Sequence, residues 1–430
     1  MHEPAEQRSA RDFSPAYKRF ALAMLTLVYA LNFIDRQILV ILQEPIKAEM
    51  GLSDAQLGLL SGFAFAVIYV TAGIPIAYWA DRGNRRNVVS LAVAVWSGMT
   101  ALSGMAQNFL QLLLARIGVG LGEAGGSPPA HSMISDYYPP AQRATALSIY
   151  STGIYAGILL GFLFGGMLAE SFGWRTAFMV VGVPGVLFGL FLRFFLKEPV
   201  RGRWEPEQAG RPKPGIQQTL ALLRDRPCFW YLSLGCAFTS YVSYGNGNFM
   251  PSFLIRNHDM SIAEVGAVMA AVAGVSGAIG TFLGGYLSDR LGSRDMRWYL
   301  WVPMIGTALG YLPYHYMLFT GHTYAGLGVL FFALVLMTFY LGPCIAIAHA
   351  LVPAGMRALT SAILFFVLNM IGLGLGPLMT GLVSDLLRSA YGPDALRYSM
   401  LITTQVTLLA IAMFALAAKH LSADLAKQRG

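Results

Sequence analysis

Four ionisable residues lie inside long apolar runs. Asp35 and Arg36 sit in Asn32-Phe-Ile-Asp35-Arg36-Gln37, and Arg116 and Glu123 in Leu114-Ala-Arg116-Ile-Gly-Val-Gly-Leu-Gly-Glu123. A charged group within hydrocarbon costs at least about 2.5–3.5 kcal/mol on insertion scales, so each is a functional candidate by default. Arg stays charged and grips phosphate or carboxylate in a bidentate way, which suits Arg36 and Arg116 to an anionic or zwitterionic headgroup. Glu123 and Asp35 are the candidates for carrying a proton. Burial and a neighbouring guanidinium pull a carboxylate's proton affinity in opposite directions, so a substrate that competes for the Arg changes the balance. Arg116 and Glu123 are seven residues apart and share one helix face, with Cα atoms roughly 10 Å apart. That is too far for easy contact and suitable for a bridging partner, such as Asp35 or a headgroup. The alternative is a set of ion pairs that only stabilises the bundle, but desolvation offsets most of what a buried pair gains.

Gly120-Leu-Gly122-Glu-Ala-Gly125 matches the dinucleotide pattern G-x-G-x-x-G. No strand precedes it and it lies inside an apolar run, so the glycines serve close helix packing instead. Pro128-Pro129 is expected to break the helix and free carbonyls near the charges. His131 follows; it titrates near neutral pH in principle, yet a lone His at a helix end is more often structural. The second half of the chain offers hydroxyls and amides: Thr239, Ser240, Tyr241, Ser243, Tyr244, Asn246 and Asn248, then Tyr340, His349 and Asn369. Tyr244, Asn246 and Asn369 are the candidates for substrate contact.

Twelve helices must position these groups. Of 430 residues, 56% are hydrophobic and only 12% charged, about half the charge of a soluble domain. Apolar runs long enough to cross a bilayer recur, and the sequence predicts spans at 18–43, 57–80, 88–107, 109–132, 144–170, 176–196, 228–256, 262–289, 297–319, 324–352, 357–386 and 396–420. The polar start is too long to be a cleavable signal peptide, so the first span is expected to stay. Of 30 Lys and Arg, 23 fall in the termini and the even-numbered connections, five on the other side (Lys47, Arg175, Arg256, Arg388, Arg397) and two within spans. By the positive-inside rule both termini are cytoplasmic, and the net charge of +8 reports topology and no nucleic-acid partner. Cys228, Cys236 and Cys344 all fall in apolar spans without metal spacing or a disulfide partner.

The chain also repeats. Asp81-Arg82-Gly83-Asn84-Arg85-Arg86 follows the second span, and Asp289-Arg290-Leu291-Gly292-Ser293-Arg294 the eighth. Pro140-Ala-Gln-Arg143 and Pro353-Ala-Gly-Met-Arg357 follow the fourth and tenth, while Gly165-Gly166-Met-Leu-Ala-Glu170 and Thr380-Gly381-Leu-Val-Ser-Asp385 end the fifth and eleventh. Such marks signify two parallel halves related by an axis along the membrane normal. The predicted division is 1–196, a cytoplasmic linker 197–227 with a short amphipathic stretch, and 228–430. Asp81, Arg82, Asp289, Arg290, Arg143 and Arg357 lie at the membrane edge and are gating candidates, the two Asp residues as helix-end latches.

These loops resemble the major facilitator motif that joins helices 2 and 3 and its echo between 8 and 9. Gly153, Gly157, Gly161 and Gly165-Gly166 resemble the glycine-rich helix 5 motif, with Phe162 where Pro is usual, and Gly173-Trp174-Arg175 opens helix 6 in the family's manner. Asn84 replaces a usual Gly, in a turn where Asn tolerates the left-handed conformation. Within the superfamily, Asn32-Phe-Ile-Asp35-Arg36, Arg116 through Glu123-Ala124 and Ile134-Ser135-Asp136-Tyr137-Tyr138 resemble the spinster family. The resemblance implies an all-α membrane protein of the major facilitator fold, with 12 transmembrane helices in two pseudo-symmetric six-helix bundles. It implies a secondary transporter of an amphipathic lipid, sphingosine-phosphate-like or lysophospholipid-like, coupled to protons by alternating access. It also implies Asp35, Arg36, Arg116 and Glu123 as the polar site. The chain is expected to be a monomer among the lipids of a bacterial inner membrane. The related organic anion symporters share the Asn-x-x-Asp-Arg element, which keeps an organic anion symporter, a drug exporter or a passive lipid flippase as alternatives. No nucleophile–base pair or metal cluster suggests an enzyme, and no cofactor or metal is expected.

Overall fold

The structure, a computed structural model, describes residues 13–204 and 215–429, and all regular secondary structure among them is helical. Six stretches of the described residues are long and apolar enough to cross a membrane, and two of these, Pro140–Phe195 and Ala354–Lys427, each contain two spans. The twelve spans are α1 (Pro15–Ile41), α2 (Asp54–Arg82), α3 (Arg85–Ser103), α4 (Phe109–Glu123 with Ser127–Tyr137), α5 (140–172), α6 (174–195), α7 (Pro227–His258), α8 (Ile262–Gly292), α9 (Trp298–Phe319), α10 (Thr323–Met337 with Leu341–Ala350), α11 (357–391) and α12 (395–429).

Local chemistry sets the boundaries. Ser14 caps α1 with Pro15 in its first turn, where a missing N–H costs nothing. Gly173, at φ 81°, makes the sharp turn between α5 and α6 that a side chain would strain. Asn84 departs from expectation: its φ is −84°, and its side chain accepts from the Asn87 N–H at 3.0 Å as the N-cap of α3. The residue is suited to the loop as a cap, not by left-handed tolerance. In α4 the interruption falls at 124–126, directly after Glu123, and Pro128 lies in the first turn of the renewed helix. The prolines therefore restart α4 and do not break it.

The glycine stripe of α5 lies against α1. A Cβ at Gly157 would collide with the Ala30 carbonyl, and one at Gly161 would lie 2.9 Å from Gln37 Cβ. This close approach fixes the register of the helix that carries Asp35 and Arg36.

Helices α1–α6 and α7–α12 form two halves. One apolar core, including Leu60, Phe162, Val242, Phe253 and Val265, runs across both at the face opposite the termini. Towards the terminal face the packing divides into a core of the first half, reached by Leu373 and Tyr244, and a separate core of the second. Cross-half hydrogen bonds follow the same division. They run from Arg256, Asp385 and Glu170 at the opposite face to the Tyr155–Thr281 pair at mid-depth. Helices α2, α8 and α11 each contain a π-helical turn along this seam, at Leu59–Phe63, Ala270–Val275 and Asn369–Leu375.

Residues 197–204 fold back on the first half, where Arg201 donates to the Ala80 and Gly83 carbonyls and the Trp204 indole to that of Asp136. The amphipathic helix Ile216–Arg224 rests on the second half through Thr219 and Leu223. Residues 205–214 of the predicted linker lie outside the described residues.

Candidate functional site

Asp35 and Arg36 are neighbours on α1 and therefore point about 100° apart around the helix. Asp35 turns into the first half and is 2% exposed. There it accepts from the Thr100 hydroxyl of α3 and from Arg116 Nη1 of α4 at 3.2 Å. Arg36 turns towards the centre of the molecule and meets Glu123 of α4, with Nε and Nη2 each 2.8 Å from Oε2. The four charges thus form two pairs crossed between α1 and α4. Asp35 is the partner of Arg116, but it does not bridge to Glu123.

Aromatic rings enclose these charges. The Arg36 guanidinium lies 5.1, 4.8 and 5.2 Å from the ring centres of Phe33, Phe65 and Tyr69, and Phe65 also faces Arg116 at 5.9 Å. A desolvated cation–π contact contributes about 2 kcal/mol, which offsets part of the cost of holding two guanidiniums here. Among the described residues, Glu123 Oε1 and Arg116 Nε are buried without a hydrogen-bond partner. The network therefore keeps one acceptor and one donor in reserve.

A cavity of about 370 Å³ occupies the space between the halves. Arg36, Gln37, Tyr69 and Tyr155 line it from the first half, and Tyr244, Asn248, Tyr314, Tyr340 and Asn369 from the second. Met250, Met269, Leu330, Leu334, Met337 and Phe365 supply apolar wall. Among the described residues, Arg36 is the one charged residue in that lining.

The remaining sequence candidates divide by position. Tyr244 and Asn369 line the cavity; Asn246 does not. Its Nδ2 donates to Thr404 Oγ1 at 2.6 Å and its Oδ1 accepts from Thr403 at 2.8 Å, so the amide ties α7 to α12. Arg116 and Glu123 lie behind Arg36 and outside the lining. His131 stands edge-on to Tyr150, 5.1 Å between ring centres, and Tyr150 stacks on the cavity residue Tyr29. At the terminal face, Asp81 and Arg82 are exposed, and Arg82 covers the Tyr78 ring at 3.8 Å. Asp289 accepts from the Tyr299 hydroxyl, Arg290 reaches Tyr286, Arg143 donates to the Ser135 carbonyl, and Arg357 opens α11. Each of these bonds stays within its own half.

Sequence reasoning missed three features. Thr100 and the ring cage leave no signal, because a hydroxyl or a Phe in an apolar run is unremarked. Arg85 was counted with the loop charges, yet it is 1% exposed and binds Glu198 Oε1 at 2.7 Å, Ser132 at 2.7 Å and Asp136. Arg256 grips Glu44 and Asp54 across the halves. The acidic residues near both were visible, but their pairing was not.

Two repeated six-helix halves around a central cavity, joined at one face and separate at the other, give the architecture of a polytopic membrane transporter. The chain belongs to the Major Facilitator Superfamily, whose profile matches residues 25–377. It is 36% identical over 389 residues to an MFS-type efflux pump of Mycolicibacterium smegmatis, which covers 89% of this chain and 88% of that one. It is similar to the crystal structure of a bacterial homolog of the human lysosomal transporter Spinster in an inward-facing, unoccupied conformation. That match has a TM-score of 0.88 and 35% identity and covers 96% of this chain and 99% of the other. The cis,cis-muconate transport protein of Acinetobacter baylyi is 28% identical over 280 residues, 64% of this chain and 67% of its own. The transporter is thus related both to spinster proteins and to organic-acid carriers.

Proposed function

We propose that this chain moves an amphipathic lipid with an anionic or zwitterionic headgroup, sphingosine-phosphate-like or lysophospholipid-like, by proton-coupled alternating access. The observation that carries the reading is Arg36, the one charged residue lining the cavity among the described residues, facing apolar and aromatic walls supplied largely by the second half. A headgroup on Arg36 leaves its tail against Met269, Leu330 and Met337. Glu123 is the coupling carboxylate, because it holds Arg36 from behind and competes with the headgroup for it. Reciprocity then requires substrate and proton to shift each other's affinity by the same factor. Arg116 acts at one remove, fixing Asp35.

With the termini in the cytoplasm of a bacterial inner membrane, the cavity faces inward and the joined face is periplasmic. Asp81 and Asp289 are latches for the alternate state, and the carrier works as a monomer. The second reading is a small organic anion, which the kinship with the muconate carrier favours. Binding to purified protein across lysophospholipids, sphingoid bases, their phosphates and dicarboxylates decides between them. The lipid reading expects tighter binding with chain length at a constant headgroup; preference for short dicarboxylates overturns it.

A further inference from the structure

We propose that Asp385 and Glu170 form a paired gate on the face opposite the termini. Each is a carboxylate from one half that caps the first turn of a helix in the other. Asp385, near the end of α11, accepts from the Asp54 N–H at 3.0 Å and the Ala55 N–H at 2.8 Å. Glu170, near the end of α5, accepts from the Ala263 N–H at 2.7 Å. One clasp closes α11 on α2 and the other α5 on α8, the two seams between the halves.

The receiving helices are built alike. Ser53-Asp-Ala-Gln56 and Ser261-Ile-Ala-Glu264 are both capping boxes, in which the Ser side chain takes the N–H of the third helical residue. The first helical N–H groups have no acceptor within the helix, and the box leaves the second one open. Ala55 and Ala263 hold that second place, and both are satisfied from the opposite half. The positive end of the helix dipole adds to the attraction for a carboxylate.

The donating helices match as well. Four residues before each acid, one turn earlier on the same face, stands a glycine. A Cβ on Gly166 would lie 2.7 Å from the Ile262 carbonyl oxygen, and one on Gly381 would collide with that of Asp54. These glycines let the helix ends approach closely enough for the acids to reach. Arg256 and Ser384, which bind Asp54, reinforce the α2–α11 seam.

Separating the halves at this face exchanges the clasps for water, so the acids set how often it opens. Spin labels at cysteines replacing Gln107 and Gly321, on connecting loops of the two halves at this face, report the distance across the mouth. Glu170 is exposed and Asp385 half-buried. Glu170→Gln should raise the open-to-closed ratio about threefold, Asp385→Asn about tenfold, and the double variant by roughly the product. Glu49→Gln, on the same face but paired within its own half, should leave it unchanged. A double variant with the parent's distances overturns the proposal. If it fails to assemble, Glu170→Cys with Ala263→Cys, cross-linked, should abolish the open population, and reduction should restore it; persistence of the open population under cross-linking also overturns the gate. The readout needs no substrate, so a gate that responds while no lipid binds would leave the gate standing and remove the lipid reading.

Discussion

Arg36 and Glu123, 87 residues apart in the chain, meet at 2.8 Å through a single carboxylate oxygen, while the second oxygen of Glu123 is buried without a partner. One oxygen grips the cation, and on the proposed coupling the other is the one that would take a proton. The grip lies behind Arg36 as seen from the cavity, so an anionic group in the cavity would approach the same guanidinium from a different side than Glu123.

Glu123→Gln removes the titrating oxygen and keeps the shape. The variant should fold, bind ligand and transport in proteoliposomes with a rate that no longer follows pH. A parent-like pH response would take Glu123 out of the proton path and leave Asp35.

Arg36→Ala should weaken binding of an anionic headgroup about 10- to 100-fold, the range expected for one or two hydrogen bonds to a charged group. Arg36→Lys should recover only part of this, because an ammonium cannot form the fork. Titration of purified protein with a lysophospholipid measures both. The single Ala variant also strands a buried carboxylate, so Arg36→Ala combined with Glu123→Gln should be the more stable form.

Arg116→Ala should act on stability more than on recognition. Arg116 is 2% exposed and pairs with Asp35, and breaking a buried pair from one side costs about 3–5 kcal/mol. A marked fall in thermal stability is expected, with a smaller change in ligand affinity than for Arg36→Ala. The reverse order of effects would place Arg116 in direct contact with substrate.

Asp81→Asn should favour states open at the terminal face by removing a latch that forms only when that face closes. Distances between labels on α2 and α11 at that mouth should lengthen on average. Unchanged distances would remove the latch.

Glu49 offers a pH test outside the spans. The Trp174 indole N–H, 2.6 Å from Oε2, and the Arg175 guanidinium hold its carboxyl below the usual range. A depressed folded value means the contact stabilises at neutral pH and is lost as pH falls through that lower value. Glu49→Gln should therefore lower thermal stability slightly at neutral pH, with the difference vanishing in acid. A constant difference across pH would assign the effect to packing.

The sequence by itself determined the membrane character, the two halves and the identity of the four charges within the spans. Spans follow from apolar length, halves from repeated loop and glycine marks, and a charge in hydrocarbon is conspicuous in any apolar run. It also held both ends of the paired clasps, as Glu170 and Asp385 in matched positions, without saying what they touch. Partnership was decided only in three dimensions. Asp35 and Arg36 are adjacent in sequence, and the 100° step of the helix sends one to Arg116 and the other to Glu123 and the cavity. Asn246 and Asn369 are the same residue type on inward-facing spans, yet α12 takes up the amide of Asn246 while Asn369 lines the cavity. Arg85 reads like any loop cation until the end of α4 and the segment after α6 close over it. Periodicity tells which face of a helix is polar, but the neighbour on that face depends on how the helices cross: the α5 glycines meet α1 more than a hundred positions away, and Gly120 and Gly122 of α4 meet Phe65 of α2 and Trp96 of α3.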